Sequence, residues 1–396
     1  MKKTILIAEL VLIGLFSASC QKPREIKPVK VPPQYDRPLP PGQLALRKIT
    51  NPADIPDFTF ACYDTSNLRS AIANSLNYLK KPSSKQFYPS CDITHEKAVA
   101  SLKAFDELLE SKLFGEQLNE AIRQKFDVYI SVGCDDRGTV LFTGYYTPIF
   151  DGSLTKTERF KYPLYKQPAD LVKGPDGEIL GRRTSAGVEP YPSRRVLETS
   201  NLLAGSELVW LGDAFEVYIA HVQGSAKIRL ENGKLFGVGY AASNGHEYKS
   251  VSKAMLEQGK ISGQQMSLTA MIDYFKKNPN EISAYTQINP RFVFFMEEKG
   301  EPRGSLNEEV IAYRSIATDK SIFPRACLTF ISTRLPYETG GAISERPYTG
   351  FALDQDTGGA IRAPGRCDIY MGSGDKVGSL AGRTFQEGRL YYLFLK

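Results

Sequence analysis

The strongest constraint on the fold is a change of apolar period near Val128. Before it, Ala98, Leu102, Phe105, Leu109, Leu113, Leu118, Ile122 and Phe126 recur at helical spacing, which predicts a helix over 94–126. Residues 67–80 read as another. After it, the chain breaks into short runs of β-branched and aromatic residues at 128–131, 139–148, 292–295, 311–317, 328–331 and 390–394. Glu216–Gln223 alternates and reads as a further strand. Ala226–Leu230 and Leu235–Tyr240 flank Asn232-Gly233, a strong hairpin signal. Two short helices are predicted near 250–258 and 267–277, the second capped by Ser267. With 33 Gly, 24 Pro and 21 Tyr in 396 residues, the chain reads as mainly β with α segments, an α+β protein of two or three domains rather than a helical bundle.

A hydrophobic share of 42% and a charged share of 24% belong to a packed globular protein. The net charge of +6 is mild, and no RRM, zinc-finger or helix-turn-helix pattern occurs, so a nucleic-acid partner is not expected. A slightly basic surface suits an anionic polymer or an anionic membrane. The three histidines, His95, His221 and His246, stand at no metal-ligand spacing with the cysteines. Neither a metal nor a cofactor is expected.

The N-terminus is an address. Lys2 and Lys3 precede an apolar run from Ile5 to Phe16, too short to span a bilayer and right for a signal segment over 1–19. Ser17, Ala18 and Ser19 lead into Cys20, which resembles a bacterial lipobox, with Cys20 as the lipidation site. Residues 20–44 then read as anchor and tether: Gln21 to Gly42 carries seven Pro and five basic residues and builds no core. Gln21 is not the Asp associated with inner-membrane retention, which points to lipid anchoring at the outer membrane, periplasmic face. Cys62, Cys91, Cys134, Cys327 and Cys367 remain. Their odd number leaves at least one free thiol, and the sequence does not assign pairs.

The chemistry concentrates near the C-terminus. Asp356 opens Asp-Thr-Gly-Gly-Ala-Ile361, and Asp368 follows in Cys-Asp-Ile-Tyr-Met-Gly372. Glycines Gly358 and Gly359 beside a carboxylate allow close approach of a ligand. Apolar neighbours such as Ile369 and Tyr370 desolvate a carboxyl and raise its pKa, as a general acid requires. A third carboxylate, Asp319, closes Ser315-Ile-Ala-Thr-Asp319. A single Asp beside Gly is also an ordinary turn former.

Together these segments resemble the three-aspartate domain, a small double-psi β-barrel. Upstream, Phe142–Pro148, Tyr191–Arg194, His221–Ser225, Val238–Tyr240 with Asn244–His246, and Asn289–Phe295 resemble, in order, the membrane-bound lytic transglycosylase A family. The resemblance implies a double-psi barrel domain interrupted by an inserted second β-domain, with a groove between them. Residues 45–150 and 291–396 would form the barrel domain, and 151–290 the insertion. It implies cleavage of the MurNAc–GlcNAc β-1,4 bond of peptidoglycan glycan strands, leaving a 1,6-anhydro-MurNAc end. Asp368 would act as acid and then base beside Asp356, with Asp319 in support. Thr143, Tyr145, Tyr146 and Thr147 would line the groove, and Gln223, Gly224 and Ser225 would present polar groups to sugar or peptide. His221 and His246 read as structural. Two alternatives stay open: a hydrolase using the Asp pair on water, and a non-catalytic polysaccharide binder on the same fold.

Overall fold

The computed structural model describes residues 33–396 except 176 and 263–267. The signal segment, Cys20, most of the tether and the cap residue Ser267 lie outside the described residues. The strands run β1 (Leu46–Lys48), β2 (Phe126–Ser131), β3 (Val140–Thr147), β4 (Ile149–Ser153), β5 (Tyr162–Tyr165), β6 (Leu171–Lys173), β7 (Ile179–Thr184), β8 (Gly187–Glu189), β9 (Glu207–Leu211), β10 (Ser225–Arg229), β11 (Leu235–Ser243), β12 (Val293–Glu298), β13 (Ser315–Ala317), β14 (Leu328–Thr339), β15 (Ala342–Asp356), β16 (Arg366–Ser373) and β17 (Phe385–Leu395). The helices are α1 (Leu68–Leu79), α2 (His95–Glu110), α3 (Gly115–Lys125), α4 (Arg194–Thr199), α5 (Ala214–Gln223), α6 (Val251–Glu257), α7 (Leu268–Lys277), α8 (Ile282–Thr286) and α9 (Asp375–Ala381).

One sheet runs β1-β2-β17-β14-β15-β13-β16-β3, and β3 also pairs with β17. That second pairing closes six strands into a barrel, which leaves those strands no unpaired edge. Two of its contacts are parallel, β13 with β15 and β16 with β3. Helices α1–α3 cover the barrel: Phe58 and Phe105 stack on Phe351 at 5.7 and 5.1 Å between ring centres. A buried Phe contributes roughly 1.5–3 kcal/mol, so these rings weld the helical segment to the barrel. A second sheet runs β12-β11-β10-β4-β9-β5 around a separate core that includes Leu211, Phe215, Ile228, Met255 and Phe295. This sheet begins at β4 and ends with β12, so residues 293–298, expected in the barrel segment, pair instead with β11.

Several local expectations need correction. Residues 214–223 form α5, not a strand. Asp213 caps its first turn through the Phe215 N–H (2.6 Å), Gly224 closes it at φ 76°, and Phe215, Tyr218 and Ile219 bury one helical stripe. The run 94–126 is two helices, because Lys112 (φ 60°) and Gly115 (φ 55°) take left-handed conformations between α2 and α3. Of 311–317, only Ser315–Ala317 is strand, after a turn in which Tyr313 has φ 59°. The strand expected at 328–331 is the inner end of a long β14–β15 hairpin turning at Gly340-Gly341. Its outer half is exposed and carries no apolar alternation. The Asn232-Gly233 hairpin forms between β10 and β11.

The barrel interior holds one charged pair. Lys320 Nζ contacts Asp354 Oδ1, and Asp354 Oδ2 accepts from Thr318 (2.7 Å) and Tyr392 (2.8 Å). Asp354 is fully buried. The five described cysteines are free thiols, and Cys62, Cys134, Cys327 and Cys367 are buried.

Candidate active site

Two of the three aspartates meet through one alanine. Ala317 of β13 is the antiparallel ladder partner of Asp368 on β16 and the parallel partner of Asp356 on β15. Neighbouring strands stand roughly 4.8 Å apart, so the two backbones flank Ala317 about 10 Å from each other. Both carboxylates line one cleft of about 430 Å³. Its walls come from both sheets: Tyr145, Ala317, Asp356, Asp368 and Tyr370 from the barrel, and Gln223, Gly224, Ser225, Tyr240 and Val293 from the second sheet and α5.

The two carboxyls are held differently. Asp356 is saturated: Oδ2 accepts from the Tyr145 hydroxyl (2.8 Å), and Oδ1 from the N–H groups of Ser305 and Thr357 (both 2.8 Å). Burial pushes its pKa up, and these three donors and Lys320 oppose the rise. Asp368 Oδ1 is buried without a hydrogen-bond partner. Burial pushes Asp368 up to about 7; Arg366 and the Thr143 hydroxyl draw it down, and the charge of Asp356 adds a smaller upward push. Desolvation rather than like-charge repulsion is therefore the main reason this carboxyl keeps its proton near neutrality.

Asp319 stands apart from the cleft. Its Oδ1 accepts from the Ser321 N–H (3.1 Å) and hydroxyl (2.6 Å), and its Oδ2 from the Ala363 N–H (2.9 Å). Ala363 has φ 66°. Asp319 thus pins the turn that leads into β16, three residues before the strand that carries Asp368.

Strand parity divides the expected groove residues of β3. Thr143 is the ladder partner of Asp368. Tyr145 lies in the cleft with its ring 5.1 Å from that of Tyr370. Tyr146 points the other way, against Gly378, and lines a separate cavity of about 630 Å³. Thr147 is buried and bonds to Tyr370 (3.1 Å) and Ser225 (3.2 Å) instead of facing the cleft. Gln223 accepts from the Tyr146 N–H (3.1 Å), Gly224 caps α5, and Ser225 starts β10; all three line the cleft. So do Gly358 and Gly359.

Sequence reasoning missed the cleft residues Arg291, Arg303, Ser305 and Arg362: Arg291 falls within the Asn289–Phe295 segment but was not singled out, and the others lie in turns and loops with no pattern of their own. His221 lines the cleft, and its Nδ1 accepts from Arg194 (3.2 Å) and from the Val293 N–H (3.2 Å). Arg194, from Tyr191-Pro-Ser-Arg194, is buried and also donates to the carbonyls of Asn289 (3.1 Å) and Arg291 (2.7 Å), tying α4 to the start of β12. His246 meets the Tyr191 carbonyl at 2.7 Å.

A family model described as the MltA specific insert domain matches residues 141–296, and one described as the 3D domain matches 314–394. The membrane-bound lytic murein transglycosylase A of Escherichia coli K12 is 27% identical over 326 residues, 81% of each chain. The chain thus carries matches to the MltA specific insert and 3D domains, and its relatives are membrane-bound lytic murein transglycosylases A. Its fold agrees with solved structures of such enzymes. The crystal structure of a membrane-bound lytic murein transglycosylase from Agrobacterium tumefaciens superposes at a TM-score of 0.74, with 25% identity, over 89% of this chain and 98% of that one. A structure of E. coli MltA with bound chitohexaose shares the fold at a TM-score of 0.66, with 24% identity, over 91% of this chain and 96% of that one. The 3D-domain match runs from the end of the turn before β13 into β17 and carries all three aspartates. The insert match runs from β3 through β12 and carries the opposite wall of the cleft.

Proposed function

We propose that this chain is a peptidoglycan lytic transglycosylase that cuts the MurNAc–GlcNAc β-1,4 bond and leaves a 1,6-anhydro-MurNAc end. Asp368 serves as acid and then as base. The observation that carries this reading is the contrast between the carboxyls: Asp368 has a buried, unpartnered oxygen and a raised pKa, while three donors occupy Asp356.

The proton accounting needs one titrating carboxyl. Protonated Asp368 gives its proton to the glycosidic oxygen as the C1–O bond breaks. The C6 hydroxyl of the same sugar then attacks C1, and its proton passes to the Asp368 carboxylate, which restores the acid. No water enters, and the products together have the mass of the substrate. Asp356, oriented by its three donors across Ala317 from Asp368, is the supporting carboxyl. An Asp pair acting on water would need a second carboxylate free to take a proton, and Asp356 is already engaged. The half-buried Tyr145 ring, backed by the buried Tyr370, offers a face to sugars.

The test is a digest of purified peptidoglycan by the protein and by Asp368→Asn, with products weighed by mass spectrometry. Anhydro-muropeptides that vanish in the variant support the reading. Products heavier by one water would replace it with hydrolysis, and sedimentation with the polymer without cleavage would replace it with a binding protein. The same reading places Cys20 in a lipid anchor at the periplasmic face of the outer membrane. Among the described residues no helix is long and apolar enough to cross a membrane. Cys20→Ala is expected to release the protein from the membrane fraction, and retention there would reject the anchor.

A further inference from the structure

The cleft carries more cationic groups than cleavage of a neutral sugar chain requires. Three guanidinium groups line it: Arg291, Arg303 and Arg362. Arg303 is committed: it donates to the Asn307 carbonyl (2.9 Å) and stands close enough to Glu298 to lower that carboxyl's pKa against the rise from burial. The other two flank one turn of the cleft wall. The turn closed by the Ile361 N–H and Gly358 carbonyl (3.1 Å) delivers Arg362 one residue later, into the cleft wall. Arg291 lies against the same turn: a Cβ on Gly359 would come 3.3 Å from its Nε. Among the described residues, Arg291 makes one side-chain hydrogen bond, to the His246 carbonyl (3.3 Å), and Arg362 is exposed with neither a carboxylate nor a carbonyl partner. The cleft's three carboxyls have other partners or lie elsewhere: Glu298 stands by Arg303, Asp356 has its three donors, and Asp368 sits beside Thr143 on the barrel.

Two arginines with free N–H groups beside one turn form a receptor for carboxylates. The glycan backbone of peptidoglycan with its lactyl groups amidated is uncharged, and its negative charges sit on the stem peptides. We infer that Arg291 and Arg362 bind the stem-peptide carboxylates of the strand being cut, so that this end of the cleft selects peptide-bearing glycan over bare glycan. The inference rests on the transglycosylase reading for its substrate.

The experiment compares two polymers, intact peptidoglycan and peptidoglycan stripped of peptides by an amidase. It measures kcat and KM for the protein, for Arg362→Gln and for Arg291→Gln/Arg362→Gln, with Arg362→Lys as the conservative control. On intact polymer KM should rise about threefold in the single variant and about tenfold in the double, with kcat unchanged, and Arg362→Lys should recover part of the loss. On stripped polymer none of the variants should differ from the parent protein. Equal losses on both polymers would overturn the inference, because they would assign the arginines to the glycan, its exposed lactyl carboxylates or the fold. No loss on either would overturn it too. Sedimentation of Asp368→Asn, with and without Arg362→Gln, on both polymers reads binding without cleavage. If the parent protein cuts neither polymer, the transglycosylase reading fails, and the binding arm still decides whether Arg362 discriminates between them.

Discussion

The Tyr145 hydroxyl donates to Asp356 Oδ2 across 2.8 Å, which joins a strand of one face of the cleft to the end of β15. The bond holds a carboxylate that burial would otherwise neutralise. Tyr145→Phe should cost that carboxylate one of its three donors, about 1.5–3 kcal/mol of local stabilisation. We expect kcat on peptidoglycan to fall roughly tenfold or more with KM little changed. Steady-state kinetics on soluble glycan fragments reads the split, and a KM effect alone would show that the Tyr145 hydroxyl serves to bind sugar rather than to hold Asp356.

Asp368 keeps its proton up to about pH 7, against an ordinary value of 3.8. The reaction as written starts from the protonated form, so kcat/KM should fall by roughly tenfold per pH unit above about 7. A pH profile flat to pH 9 would remove Asp368 from the role of acid.

Stability follows from the same shift. The folded state binds this proton more tightly than the unfolded chain, so its stabilising contribution is complete below about pH 4 and is lost as pH rises through about 7. Asp368→Asn should therefore raise the unfolding free energy at pH 8 by up to about 4 kcal/mol, with a higher melting midpoint, and leave both unchanged at pH 3.5. Thermal melts at the two pH values test this, and they would show an enzyme trading stability for its acid.

Asp319 binds the Ala363 N–H, the Ser321 N–H and the Ser321 hydroxyl. Asp319→Ala leaves the Ala363 and Ser321 N–H groups without their acceptor and should destabilise the protein by about 2–4 kcal/mol. Activity should fall as well, measured well below the melting point, because β16 enters the barrel from the turn that Asp319 pins. Unchanged stability would mean that the turn holds itself.

Lys320→Met should cost about 3–5 kcal/mol, since it strands Asp354 as an unpaired charge inside the barrel. Adding Asp354→Asn should recover much of that loss. Denaturant titration of both variants separates the cost of an orphaned charge from that of lost packing.

Asp356 and Asp368 could be read from the sequence because the chain advertises them with glycine clusters and a change of pattern within a dozen residues. The barrel was legible through the same segments. Parity on β3 was readable in principle: Thr143 and Tyr145 share one face, so Tyr146 had to take the other. Helix α5 was not legible from its apolar pattern, because eight alternating residues with β-branched side chains fit either period, and its decisive signals are the flanking Asp213 and Gly224. Arg291 and Arg362 were invisible for a different reason. They stand 71 positions apart in irregular segments, and only the packing of Arg291 against Gly359 joins them.

The barrel closes where Phe385–Gly388 of β17 pair with Val140–Thr143 of β3, across roughly 240 residues of intervening chain. The consequence is one of timing. Thr143 comes to rest beside Asp368 through strands that find each other late, since loops this long close slowly and every stave must be in place before the ring is complete. Until that ring closes, the chain holds Thr143, Asp356 and Asp368 but not the ladder that sets them side by side.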